Sequence, residues 1–198
     1  VCGIIVDEMS IRDDLHFNGK RLQGYINFGL KTTENAGSVF VAKEVIVFLI
    51  VALNSHWKIP VGYFLIDGLN AHERAKLVNT CLEMLSDTGA IIKTLTFDGA
   101  APNIAMAKQL GADIPNNPTF NHPITNEPIH IFLDAAHMLK LVRNTLGDLK
   151  YIYDQNNDKI EWSYFYKLVE LQENEGLHLA TKIRRRHINF FKEKMKVR

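Results

Sequence analysis

Apolar residues occur in short continuous runs along the first two thirds of the chain, a pattern typical of buried β-strands. These runs occupy residues 1–9, 45–54, 61–66, 91–98 and 129–133. A further extended stretch, residues 22–30, follows the pair Asn18-Gly19. Because both residues of such a pair adopt positive φ easily, we predict a hairpin turn there.

Between and after these strands the apolar residues recur at helical spacing. The predicted helices cover residues 70–89, 102–111, 135–146, 162–174 and 177–198. Asn70 and Glu73 resemble a capping box at the start of the first helix. Pro102 suits the first turn of the second helix, and Gly111 suits its end.

The five apolar strands and the helices between them follow the order βββαβαβ, which is the order of the ribonuclease H-like fold. We therefore predict an α/β domain with a mixed sheet over residues 1–147, followed by an all-helical segment over residues 148–198. The chain begins directly at a strand and stops inside a helical pattern. We expect it to be a fragment of a longer protein.

Composition adds three constraints. The two cysteines, Cys2 and Cys81, lie in apolar runs and are expected to be buried thiols of a reducing compartment. No apolar stretch is long enough to span a bilayer, and no secretory signal is present. The net charge of the chain is +1, but residues 181–198 carry eight basic residues and one acidic residue. A basic C-terminal segment therefore follows an acidic body.

Two acidic residues, Asp7 and Asp98, stand where predicted strands end. In a ribonuclease H-like sheet the first and fourth core strands are neighbours, so the two carboxylates would lie side by side. Carboxylate pairs hold Mg²⁺, and two such ions can flank a reacting phosphate. Singly, Asp7 is equally explained as a solvated acid and Asp98 as a turn or helix-capping residue. The pair together favours metal binding.

The helix that follows Asp134 combines a polar face with an apolar stripe. The predicted buried stripe consists of Met138, Leu141 and Val142. His137 and Lys140 lie on the polar face, which is either solvated or turned toward phosphates beside the carboxylate pair. The basic run 182–187 has the same two interpretations, a solvated helix face or a phosphate contact.

The sequence resembles the P-element family of transposases, which includes the THAP-domain transposases and their host-domesticated relatives. The matching stretches are residues 6–9, 57–64, 97–103, 134–144 and 187–197. Together they span nearly the whole chain. The string from Asp134 to Asn144 is the most specific of them.

This resemblance implies a ribonuclease H-like catalytic core with a DDE acidic triad. By position, Asp7 is the first acid and Asp98 the second, and Asp134 is a third candidate only if the strand alignment is shifted. His137 and Lys140 would be active-site neighbours. In this family a helical insertion domain that binds GTP interrupts the core, and residues 148–198 resemble its start. The closing Glu and the zinc-bound THAP finger are expected outside this chain.

The sequence thus predicts a catalytic-core fragment of a DNA transposase that cuts and joins DNA with two Mg²⁺ ions. The full-length protein would bind transposon ends and target DNA in the nucleus, as a homo-oligomer, with GTP as a further cofactor. A domesticated DNA-binding protein that no longer transposes is the closest alternative, and a structure-selective nuclease is another. The fragment itself is expected to be catalytically silent. Amide exchange is expected to be slow at Asp7 and Asp98 and fast from Leu177 onward.

Overall fold

The computed structural model describes residues 1–20, 22–27, 40–114, 116–176 and 182–189, with the side chain of Leu22 left undescribed. The chain divides into two compact units, Val1–Asp134 and Ala135–Arg198. Within the described residues no helix is long and apolar enough to cross a membrane. Cys2 is buried, Cys81 is half-buried, and both are free thiols.

In the described residues of the first unit there are ten elements. They are β1 (Cys2–Ser10), β2 (His16–Phe17), β3 (Leu22–Gln23), β4 (Glu44–Ala52), β5 (Lys58–Ile66), α1 (Ala71–Ser86), β6 (Ile92–Phe97), α2 (Ala101–Leu110), β7 (Thr119–Asn121) and β8 (Pro128–Leu133). Six strands form one mixed sheet in the order β5-β4-β1-β6-β8-β7. Strand β1 runs antiparallel to β4 and parallel to β6, and β6 runs parallel to β8. The predicted α/β fold with the order βββαβαβ is confirmed.

Buried side chains alternate along the central strands and mark the face of the sheet on which the helices pack. Ile4 and Val6 of β1 are buried, as are Leu95 and Phe97 of β6. They belong to one apolar core with residues of α1 and α2, namely Val78, Leu82 and Met106. The two helices also contact each other, so they pack on this same face. The capping box predicted at the start of α1 is confirmed.

The region between β1 and β4 agrees partly with the sequence prediction. Asn18-Gly19 joins β2 to β3 in an antiparallel hairpin, with Gly19 at φ 86°. Of the predicted extended stretch 22–30, only Leu22–Gln23 forms a strand, and isolated bridges follow at Tyr25 and Asn27. Residues 28–30 lie outside the described residues.

The second unit contains α3 (Ala135–Leu149), β9 (Tyr151–Tyr153), β10 (Lys159–Glu161), α4 (Ser163–Glu175) and α5 (Arg185–Ile188). Strands β9 and β10 pair antiparallel, so the prediction of an all-helical segment after residue 147 is wrong. The turn between them is built by Asp154, whose side chain accepts hydrogen bonds from the amides of Asn156 and Asp158. Such side-chain-to-backbone bonds favour turns over helix.

The boundary between the two compact units lies after Asp134, whereas the sequence prediction placed it after residue 147. Helix α3 belongs with the hairpin because Leu146 packs on Trp162, with Ile152 and Phe165 against them. The predicted buried stripe of α3 is also corrected, since Leu141 is 39% exposed and Val142 53% exposed. The buried residues of α3 are His137, Leu146 and Gly147. Among the described residues of the unit, the C-terminal end of α3 contacts β9 and Trp162, and Arg143 donates to the carbonyl oxygen of His187 at 2.8 Å.

Strand β7 was not predicted, and it lies in the stretch between the predicted helix 102–111 and the predicted strand 129–133. Strand β7 has three residues and pairs antiparallel with β8. The predicted helix 177–198 is not continuous, because Arg184 is extended and a short helix, α5, begins after it. Residues 177–181 and 190–198, with Phe190, Phe191 and Met195, lie outside the described residues.

Candidate functional site

Asp7 and Asp98 belong to two neighbouring parallel strands, one lying within its strand and the other directly after it. In the β1–β6 pairing the last matched residues are Ile5 and Thr96. Asp7 follows Ile5 by two residues within β1, and Asp98 follows the last residue of β6, Phe97. Asp7 falls on the face of the sheet opposite to the core side chain of Ile4, because side chains alternate along a strand. Asp98 lies just beyond the end of its strand. The predicted adjacency of the two strands is observed. The assignment of the two acids as metal ligands stays a prediction.

The carboxylate of Asp98 is held by the beginning of α2. Its Oδ1 accepts a hydrogen bond from the backbone N–H of Ala100 at 3.0 Å and another from Nδ2 of Asn103 at 2.7 Å. Among the described residues, both hydrogen bonds to Asp98 go to Oδ1 and none to Oδ2. Asp98 is therefore a turn residue, as one alternative predicted, and still offers a second oxygen.

Asp7 is exposed, and its Oδ1 accepts a hydrogen bond from the backbone N–H of Glu8 at 2.9 Å. Glu8 points to the opposite face, as strand alternation predicts. There it forms an ion pair with Arg74 of α1. Because its charge is matched by Arg74, Glu8 is not grouped with the two aspartates.

Arg74 is a buried cation, 5% exposed, on the helix-covered side of the sheet. Its Nε donates to the carbonyl oxygen of Leu69 at 3.0 Å, and one terminal nitrogen donates to Oδ1 of Asn103 at 3.2 Å. Burial lowers the pKa of Arg74, and the carboxylate of Asp98 raises it. Arg74 and Asn103 were not among the residues that the sequence predicted for the site. For Arg74 the available signal was a charged residue in the first turn of α1, beside the apolar positions of that helix.

Asp134 follows β8 as Asp98 follows β6. Leu133 lies opposite Phe97, and the amide of Asp134 donates to the carbonyl oxygen of Phe97 at 2.8 Å. Asp98 and Asp134 thus follow two neighbouring parallel strands, and Asp7 lies in the next strand of the sheet, β1. Within the described part of the chain, however, no three His, Cys, Asp or Glu side chains are grouped closely enough to hold one ion.

The other two predicted neighbours, His137 and Lys140, belong to the second unit. Both lie on α3, where His137 is buried and Lys140 half-buried. Their predicted place beside the carboxylate pair stays a prediction. In the same unit, the basic run contributes Arg184, Arg185 and Arg186 to a cavity that also contains Glu173. Glu173 forms an ion pair with Arg185 and raises its pKa through hydrogen bonding.

The donor set at the strand ends suits a hard divalent cation. Asp7 and Asp98 supply carboxylate oxygens, which are the ligands that Mg²⁺ prefers. The hydrogen bonds at Oδ1 of Asp98 fix that carboxylate while leaving Oδ2 for an ion. The residues present therefore fit Mg²⁺.

Comparison with known proteins identifies the family. A model of the RNase H N-terminal domain of TNP-like proteins matches residues 1–111, and a model of their GTP-binding insertion domain matches residues 136–198. The DNA transposase THAP9 of Homo sapiens is 30% identical over 180 residues, which is 88% of this chain and 20% of that protein. This chain therefore spans about a fifth of that relative.

The fold comparison agrees. The Drosophila P element transposase strand transfer complex superimposes with a TM-score of 0.74 at 22% identity, over 95% of this chain and 38% of that one. This likeness shows a shared ribonuclease H-like fold. Together with the two domain matches, it means that the chain belongs to the TNP-like family of P-element-type transposases, with an RNase H N-terminal domain and a GTP-binding insertion domain.

Proposed function

We propose that this chain is the catalytic-core part of a DDE-type DNA transposase, an enzyme that cuts phosphodiester bonds and transfers the free strands. One observation carries the proposal: Asp7 lies in β1 and Asp98 directly follows β6, the strand that runs parallel beside β1. Two carboxylates at the end of a rigid sheet are pre-positioned without ordering a loop, which is what a metal-dependent nuclease requires.

In this proposal Asp7 and Asp98 hold Mg²⁺. An ion held there would supply Lewis-acid activation of water or of a DNA 3′-hydroxyl that attacks a phosphodiester. The chain's own contribution is to place the two carboxylates and to hold Asp98 through Ala100 and Asn103. We propose that the third acid, the closing Glu, comes from a part of the full-length protein that this chain does not include.

We also propose that the full-length protein binds transposon ends and target DNA in the nucleus as a homo-oligomer, and that its insertion domain binds GTP. The match to a GTP-binding insertion domain supports the last point. The arginines that line the cavity in the second unit are side chains that suit phosphate. Calorimetry of the 198-residue chain with GTP, and with ATP as the control, tests this point.

The catalytic assignment is tested in the full-length protein with DNA that carries the ends flanking its own gene. Asp7→Asn and Asp98→Asn should each abolish Mg²⁺-dependent cleavage while DNA binding persists, because an amide keeps the shape but loses the charge that holds a cation. Asp67→Asn is the matched control, since Asp67 also follows a strand but pairs with Lys43. Cleavage at the wild-type rate by either variant would remove that aspartate from the proposed site.

One observation favours a second candidate, a domesticated protein that keeps the fold and DNA binding but no longer transposes. No third carboxylate joins Asp7 and Asp98 within the described residues. The same experiment separates the two candidates. A full-length wild-type protein that binds DNA tightly but never cuts it with Mg²⁺ would support the domesticated protein.

A further inference from the structure

Asn103 lies between a group that can only donate hydrogen bonds and a group that can only accept them. On one side the guanidinium of Arg74 donates to Oδ1 of Asn103, and on the other side Nδ2 of Asn103 donates to Oδ1 of Asp98. A flipped amide would set its NH₂ against the guanidinium and its oxygen against the carboxylate. The orientation of Asn103 is therefore fixed by its two neighbours.

Arg74 is itself fixed from two further directions. It forms an ion pair with Glu8 of β1, and its Nε donates to the carbonyl oxygen of Leu69. The planar guanidinium can serve these acceptors and Asn103 at once, whereas an ammonium group cannot match the same fork. Burial of Arg74 keeps water from competing for these bonds.

We propose that Arg74 and Asn103 are positioning residues for Asp98, with Glu8 as the anchor of Arg74. The proposal rests on the function proposed above, in which Asp98 is a metal ligand. Arg74 orients Asn103, and Asn103 holds Oδ1 of Asp98, so that Oδ2 remains for the ion. Outer hydrogen bonds of this kind fix ligating carboxylates, and their removal typically weakens metal binding.

The competing explanation is that these contacts only fasten α1 and α2 to β1. A purely structural role would change stability but leave the ion affinity of the folded chain unchanged. The two explanations are separated by a readout at the aspartates themselves. Paramagnetic broadening by Mn²⁺ of the backbone amide signals of Glu8 and Gly99, in the ¹⁵N-labelled 198-residue chain, supplies that readout even where binding is weak.

The principal variant is Asn103→Ala, and the matched control is Asn70→Ala. Asn70 caps α1 by accepting from the amide of Glu73 at 3.0 Å, so its replacement destabilises α1, the helix that carries Arg74, without removing a contact to Asp98. We expect Asn103→Ala to raise the Mn²⁺ concentration for half-maximal broadening roughly tenfold. Asn70→Ala should leave that concentration unchanged. Equal concentrations for wild type and Asn103→Ala would overturn the proposal.

Arg74→Lys tests the order of the contacts, because it keeps the charge and loses the fork. It should weaken Mn²⁺ binding in the chain with Asn103 and add nothing in the chain with Asn103→Ala, since Arg74 acts through Asn103. Independent, additive effects of the two substitutions would contradict that order.

Failure of the parent proposal has a distinct signature. Two outcomes would show that the proposed metal site is wrong: no broadening of these signals by Mn²⁺ in the wild-type chain, or unchanged broadening in Asp98→Asn. Either outcome would also overturn the positioning role. If Asp98→Asn abolishes the broadening while Asn103→Ala does not alter it, only the positioning role is overturned.

Discussion

The ion pair between Glu8 and Arg74 gives the sharpest stability prediction. Glu8→Gln keeps the size of the side chain and one oxygen that can accept from Arg74, but it removes the negative charge. Arg74 then remains as a buried cation whose nearest countercharge is gone. The side chain of Arg74 is 6% exposed and that of Glu8 23% exposed, so water can replace the lost carboxylate only in part.

The magnitude follows from this burial. Breaking a fully buried pair by removing one partner costs about 3–5 kcal/mol. Glu8 is partly hydrated and glutamine retains a hydrogen bond, so we expect a loss of about 2–3 kcal/mol in the free energy of unfolding. With a urea dependence of about 2–3 kcal/mol per molar, the unfolding midpoint should fall by roughly 1 M.

The assay is urea unfolding of the 198-residue chain, followed by far-UV circular dichroism. Asp67→Asn is the control, since it makes the same chemical change in the solvent-exposed pair with Lys43 and should shift the midpoint far less. The double variant Glu8→Gln with Arg74→Met should regain part of the loss, because no unpaired charge then remains buried. Equal midpoints for Glu8→Gln and Asp67→Asn would refute the reasoning.

Three further predictions concern the core. A Cβ on Gly3 would collide with Oγ1 of Thr94 on the neighbouring strand, so Gly3→Ala should cost about 1–3 kcal/mol in urea unfolding and Thr94→Ala should relieve that loss. If Gly3→Ala cost the same free energy of unfolding with and without Thr94→Ala, the predicted collision would be wrong. Leu95→Ala should cost about 3 kcal/mol, because Leu95 is 1% exposed between β1 and β8, and a loss below about 1 kcal/mol would mean that the cavity collapses. Burial raises the pKa of Cys81 from 9.0 to about 11. At pH 8 its thiolate fraction, and hence its rate of alkylation by iodoacetamide, should be about 100-fold lower than in the urea-unfolded chain, and equal rates would show an accessible thiol.

The sequence predicted elements best where a local signal was strong. The capping box of Asn70 and Glu73 and the αL glycine at Gly111 marked the ends of α1 and α2 as the structure has them. It failed where elements were short. Strands β7, β9 and β10 have three residues each, which is too few to distinguish the alternation of apolar and polar residues in a strand from the sequence of a loop.

The apolar stripe of α3 failed for a different reason. Periodicity indicates which side of a helix is apolar, but burial also requires another element to cover that side. In the second unit Trp162 and β9 cover the C-terminal part of α3, at Leu146, and leave Leu141 and Val142 exposed. The partner of a helix face is a tertiary fact that spacing does not contain.

The candidate site divides along the same line. Its two carboxylates were visible in the sequence, because a run of apolar residues ending in Asp7 or Asp98 marks a strand end through local backbone and burial preferences. That β1 and β6 are neighbours in register was decided by the pairing of the sheet. The contacts from Glu8 through Arg74 and Asn103 to Asp98 were decided by the packing of α1 and α2 on one face. Side chains far apart in sequence meet only through such packing. The two acids could therefore be predicted from the sequence, whereas the side chains that hold Asp98 could be identified only from the tertiary structure.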